Sequence, residues 1–542
     1  MHRNLRLIFE TAPALSAFAA LAAGAFAAAY GGCPWLLTCA LLLMPAVGIA
    51  GGASYTVFGV FLPCMLFCGY FQAAAALRPP AMAQWLPREA HGVTAYLRIE
   101  QAPLSSPALS AFDSGGGGWY AALDALSPNY LPQKRLAGEA VPVVLRPRGQ
   151  KVREKLAQYG AGTPLVATGS LLRLLRPEES VAADWYAASL RSRGVKYALT
   201  VDEVHERGED SSAFAYCITR KINAARIALG ERLVRGIDCA EDAQLLLALG
   251  LGMSDFTAPE TRARQAAAGT VHIFAISGMH VGLMALAIAG LMRLLLLPQY
   301  CQLLGTGALC TVYVLLTGAA PSSRRALLMT LVVIYTRFRR RPPSWLNALG
   351  VAGVIAIFQS PPVVLNIGFI FSYMAVFLLL MRAPVAAHTA AVLDEKRCWL
   401  PRGRPFSGSA GILAKFAAGM QLSLEAWLGS AGLALCLTSR FSLLAPLVNF
   451  AVSPVAWLTL MLCPLRIALG LFLPESMDLM MASLLGCMAR VTRFLSECGA
   501  ESAFCLAVRP PPLWRTVCCH ILLMFWLLNA GGGGGGEKTS GG

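Results

Sequence analysis

The stretch VHIFAISGMHVGL, Val271–Leu283, sets two histidines and a serine among apolar residues. Serine and histidine are the pair that nucleophilic catalysis uses, and buried polar groups also line conduits or tie helices together. If the stretch is one helix turning about 100° per residue, and His272 is the origin, then His280 falls near ~80° and Ser277 near ~140°. Gly278 and Gly282 fall near ~240° and ~280° on the same turn angle. The spacing therefore predicts a polar face carrying His272, Ser277 and His280, opposite a G-x-x-x-G packing face of Gly278 and Gly282. Ser277 and His280 are close enough in sequence to touch, but no Asp or Glu stands nearby to orient an imidazole. His272 and His280 are too far apart along the chain for paired metal ligation, so no metal is expected. Interhelical hydrogen bonding, a conduit lining and catalysis all remain open uses.

Further polar points follow downstream. Arg324 and Arg325 stand in YVLLTGAAPSSRRALLM beside a span expected to begin near Ala326. They could snorkel to headgroups or contact phosphate, which the planar guanidinium suits. Asn366, Ser372, Asn449 and Ser453 interrupt other apolar runs.

The elements that must carry these residues belong to a membrane. The 542-residue chain is 56% hydrophobic and 14% charged, where a soluble domain is about 25% charged. Its mean hydropathy is +0.58. The formal net charge is +16, which serves cytoplasmic loops, a polyanion or anionic lipid. Three spans are expected over Ala12–Tyr30, Pro34–Ala50 and Tyr55–Leu77. Later ones are expected at His272–Leu297, Leu303–Thr317, Ala326–Phe338, Trp345–Phe358, Val363–Met381, Ile412–Leu437, Leu443–Leu471, Met477–Phe494 and Val517–Leu528. APLVNFAVSP, Ala445–Pro454, reads as a broken or re-entrant helix.

Between the two sets of spans the composition changes. Residues 78–210 are polar and basic, with β-branched and aromatic runs bounded by turn residues, as expected of a small sheet or barrel of five or six strands. This stretch holds no cysteine from His91 to Asp210, so no disulfide framework or C-x-x-C zinc site is available there. Residues 211–268 begin with a basic amphipathic helix, suited to a membrane surface or to packing on its neighbour. Residues 531–542 read as a Gly-rich disordered tail. Basic loops at Arg337–Pro343 and Arg382–Lys415 set the expected cytoplasmic side and leave the polar domain outside.

The ordered elements HIFAISGMHVGL, YVLLTGAAPSSRRALLM, NALGVAGVIAIFQSPPVVLNIGFIFSYMAV and LAPLVNFAVSPV resemble the competence domain of the ComEC family, and DWYAASLRSRGV, Asp184–Val195, is similar to a family element after its outer domain. The resemblance implies a polytopic α-helical protein of the bacterial inner membrane with an inserted extracytoplasmic OB-like barrel. In this reading 1–77 are N-terminal spans, 78–210 the OB-like domain, 211–268 a helical segment and 269–530 a channel for single-stranded DNA. It implies pore-lining or pore-shaping roles for His272, Ser277, His280, Ser372 and Asn449, and phosphate contacts for Arg324 and Arg325. In the outer domain Arg146, Arg148, Lys151 and Arg153 become candidate phosphate contacts, with Lys134, Arg135, Arg173 and Arg176 beside them. Trp119, Tyr120, Tyr130 and Tyr159 are candidate stacking aromatics. Expected partners are single-stranded DNA, membrane lipid, an external DNA receptor, and a cytoplasmic motor or single-strand-binding proteins, with self-association open. No cofactor is expected, and no nucleotide loop G-x-x-x-x-G-K-[ST] occurs in the chain. Two departures stand out. No H-x-H-x-D-H motif of the metallo-β-lactamase-like domain found in many members occurs, so no nuclease activity is expected. Ile370 and Phe371 stand where the family often has a glutamine followed by an apolar residue. Transport of another solute, an orphan relative without competence, and an intramembrane serine hydrolase are the rival readings.

Overall fold

Alternation of inward and outward side chains builds the first body. The structure is a computed structural model. It describes residues 89–102, 119–128, 134–135, 141–173, 197–207, 214–366, 368–377, 440–470 and 474–500, with shorter pieces including 19–25, 68–74 and 505–507. The expected spans Pro34–Ala50 and Val517–Leu528, most of Ile412–Leu437, the basic loop Arg382–Lys415, Tyr130, Arg176 and the Gly-rich tail lie outside the described residues.

In β1 (Glu89–Gln101), Val93, Ala95, Leu97 and Ile99 are all buried, and the residues between them face outward. β2 (Trp119–Pro128), the short β3 (Lys134–Arg135), β4 (Val141–Pro147), β5 (Pro164–Arg173) and β6 (Tyr197–Arg207) complete the sheet. β1 pairs with both β2 and β5, β5 with β6, β6 with β4, and β4 with β2, so five strands close on themselves. All barrel pairings are antiparallel except β4–β6, which is parallel. β3 is an added edge on β2. Between β4 and β5 lies α1 (Gln150–Ala157), whose Leu156 is fully buried in the barrel core. Gly169 permits the closest strand approach, since a Cβ there would collide with the Thr200 carbonyl.

The second body is helical. α2 (Phe214–Val234) leads through Gly236, at φ 75°, into α3 (Ala240–Leu251). Residues 211–268, expected to begin with one amphipathic helix, thus begin with two. From Asp242 to Leu251 every residue of α3 is buried, so it is a core helix without a free polar face. α4 (Pro259–Ala268), α5 (Val271–Phe274), α6 (Gly278–Leu294), α7 (Gln299–Leu316), α8 (Pro321–Phe338), α9 (Trp345–Gln359) and α10 (Gly368–Phe377) follow. β7 (Arg440–Ser442) and β8 (Cys505–Ala507) form a two-stranded ribbon flanking α11 (Ala445–Leu469) and α12 (Glu475–Ala500).

α7, α11 and α12 are long and apolar enough to cross a membrane, and α6, α9 and α10 are shorter apolar helices. Leu286, Leu294, Leu304, Met480 and Phe494 are each more than 60% exposed, which lipid accommodates and water does not. The break expected at Ala445–Pro454 is absent: α11 runs continuously through Pro454 and Pro464. The helices on either side of Gly24 and Gly69 cross closely, each glycine lying against the other segment's backbone. The barrel meets the helical body where Gly162 approaches the Tyr216 ring of α2.

Candidate functional site: a side-chain-satisfied helix break

Val271–Leu283 does not form one helix. α5 stops at Phe274, Ala275 and Ser277 are extended, and α6 starts at Gly278. The angular sorting into a Ser/His face and a glycine face therefore does not hold, because the two histidines sit on different helices. His272 is exposed on α5, whereas His280 on α6 is fully buried.

A break flanked by the buried Phe274, Ile276 and His280 must satisfy its own backbone groups. Ser277 is the N-cap of α6, and its N–H donates to His280 Nδ1 at 2.8 Å. Ser277 Oγ lies 3.2 Å from the same nitrogen. This is a capping box with histidine in the position where Glu or Gln is usual. The Ile276 carbonyl accepts from Ser322 Oγ of α8 at 2.8 Å. Ser277 and His280, with Ser322 from α8, thus answer the backbone that the break exposes.

The turn between α7 and α8 closes over the same point. α7 ends at Gly318 (φ 84°) and Ala319 (φ 48°), with the Ala319 N–H returning to the Val314 carbonyl. Pro321 then opens α8, five residues before the expected start at Ala326. Gly252, which ends α3, packs its backbone against the Thr317 carbonyl and the Ile276 side chain. The Arg226 guanidinium of α2 lies against Gly318. Burial pulls the Arg226 guanidinium below its usual range, and Asp255 opposes that.

The two arginines of α8 part company. Arg324 is exposed, as a headgroup or phosphate contact requires. Arg325 is only 3% exposed, so it does not snorkel. Its guanidinium stacks over the Tyr373 ring of α10 at 5.2 Å. Its Nη2 comes within 2.8 Å of where a Cβ on Gly278 would stand. Gly278 is therefore a close-packing position, whereas a Cβ on Gly282 would meet no described atom within 4 Å. Ser372 is half-buried beside Tyr373, with Ile370 and Phe371 half-buried on the same helix. Asn366 caps α10, its Oδ1 accepting from the Phe369 N–H at 3.1 Å. Asn449 lies half-buried in an unbroken helix, and Ser453 Oγ returns to its carbonyl at 2.6 Å.

On the barrel, Arg146, Arg148, Lys151 and Arg153 cluster at the corner from the end of β4 to the first turn of α1. Arg146, Arg148 and Lys151 are exposed there. Arg148 pairs with Asp202 at 3.2 Å. Trp119 and Tyr159 belong to the barrel core and cannot stack on a ligand. Tyr120 stays half-exposed under the Arg193 guanidinium, 4.8 Å from the ring centre.

Sequence reasoning missed Arg466. It is fully buried in α11 and donates to Asp478 through Nε and Nη2, each at 3.2 Å. It also donates to the Leu233 and Arg235 carbonyls at 2.7 and 2.6 Å, which end α2. A lone arginine within an apolar helix was the available signal. Arg493 of α12 likewise holds Asp242, at 3.1 Å, and Glu241 at the start of α3.

One family model, described as competence protein, matches residues 249–531. No curated protein and no solved structure matches the chain.

Proposed function

The chain belongs to the competence-protein family, and from that premise we propose that it is the inner-membrane channel carrying single-stranded DNA into the cytoplasm during natural transformation. The family supports a role in DNA uptake, and the apolar helices support a membrane protein. The observation that carries the finer reading is the joining of two bodies: a closed barrel with an exposed basic corner, anchored through α2 to an apolar helical body. Five strands with one parallel pairing, and a helix between the third and fourth barrel strands, favour an OB-like reading of residues 78–210. Such barrels hold single strands with a basic groove and stacking rings. Tyr120 under Arg193 offers one such ring.

The barrel then faces outward, near an external DNA receptor. Arg337–Arg341 face the cytoplasm, where a motor or single-strand-binding proteins would draw in the strand. The chain acts as a channel without enzymatic chemistry. The Ser277–His280 pair supports this, because His280 Nδ1 already accepts the Ser277 N–H and so serves the helix cap before it can serve as a base. Deleting the gene and scoring transformation tests the proposal. Transformation should be lost, and an unchanged frequency would refute it.

A further inference from the structure

The start of α6 holds a surplus of buried hydrogen-bond donors. His280 Nδ1 accepts the Ser277 N–H at 2.8 Å, so a neutral His280 carries its proton on Nε2. That Nε2 is buried and meets no acceptor among the described residues. Arg325, reaching over from α8, leaves Nε and Nη1 buried and unpaired as well. Among the described residues no carboxylate pairs with Arg325. The Tyr373 ring covers one face of the guanidinium at 5.2 Å but accepts none of its in-plane N–H groups. The guanidinium also presses against the first residue of α6, where the helix dipole is itself positive. Buried donors without acceptors, and a buried cation at a positive helix end, each raise the energy of this arrangement. One ligand class relieves both: an oxyanion, which helix starts and arginine bind in concert.

We propose that the start of α6, with Arg325 and His280, is an oxyanion site inside the helical body that takes a phosphodiester. This deepens the DNA-channel reading and rests on it for the identity of the diester. Arg324, exposed one residue away, is not part of the site. With Arg325 only 3% exposed, filling the site requires the starts of α6 and α8 to move apart. Binding would thereby favour an open arrangement of these two helices.

The test uses the full chain in lipid nanodiscs and reads thermal stability with dimethyl phosphate, inorganic phosphate or chloride at matched ionic strength. Dimethyl phosphate should raise the melting temperature of the wild type and of Arg293→Gln, which removes an exposed arginine from the far end of α6. The rise should vanish in Arg325→Gln and shrink in His280→Phe. Because Arg325→Gln could perturb folding, Arg325→Lys provides a second variant. It keeps the charge but loses the guanidinium fork, and should lose most of the rise. No rise in the wild type, or an equal rise in Arg325→Gln and Arg325→Lys, would overturn the site. A rise with inorganic phosphate alone would make the ligand free phosphate and overturn the diester assignment. None of these readouts involves DNA uptake, so failure of the channel reading would appear separately, as normal transformation after gene deletion.

Discussion

Ser277, His280 and Gly278 each have a cost that can be measured. Ser277→Ala removes a cap oxygen while His280 still accepts the backbone N–H, so the loss should be about 1 kcal/mol. DNA uptake should persist in that variant, whereas a serine hydrolase would lose all activity. Gly278→Ala drives a methyl into the Arg325 guanidinium, so it should lower the melting temperature and disturb uptake. Gly282→Ala meets open space and should be neutral or stabilising by up to about 1 kcal/mol, because alanine favours the helix. The types of these residues were legible in the sequence, but their arrangement was not. A helical projection presumes an unbroken helix. Ser277–Gly278 is a good N-cap signal, yet histidine at the third position hid the capping box.

At the scale of elements, Arg466 ties three helices together. Arg466→Met would strand Asp478 and the last carbonyls of α2, and should destabilise the chain by about 3–5 kcal/mol. Adding Asp478→Leu should restore much of that loss, since apolar replacement of a whole buried pair is often neutral. Thermal melting in nanodiscs reads both variants. The barrel strands were legible because their alternation is local and strict. The burial of α3 was not, because its core role comes from α11 and α12, more than 190 residues further along the chain. The continuity of α11 was obscured by Pro454 and Pro464. Proline weakens a helix by leaving the carbonyl four residues earlier without its donor, but the burial of Val452, Ala456 and Leu460 against neighbouring elements supports the helix through that point.

The whole molecule joins an exposed basic corner to an apolar body containing a satisfied helix break. If the corner holds DNA, replacing Arg146 and Lys151 with Gln should weaken single-strand binding for all sequences alike. It should also flatten the salt dependence, by about 0.7 in log–log slope for each phosphate no longer neutralised. Fluorescence anisotropy of a labelled oligonucleotide on the full chain measures this, and an unchanged slope would exclude the corner. The most direct test of the channel itself follows a labelled DNA strand in competent cells that lack the chain. The account predicts that DNA still binds outside, while no labelled single strand becomes protected from added nuclease until the wild-type gene is restored. A protected cytoplasmic strand in cells without the chain would contradict it.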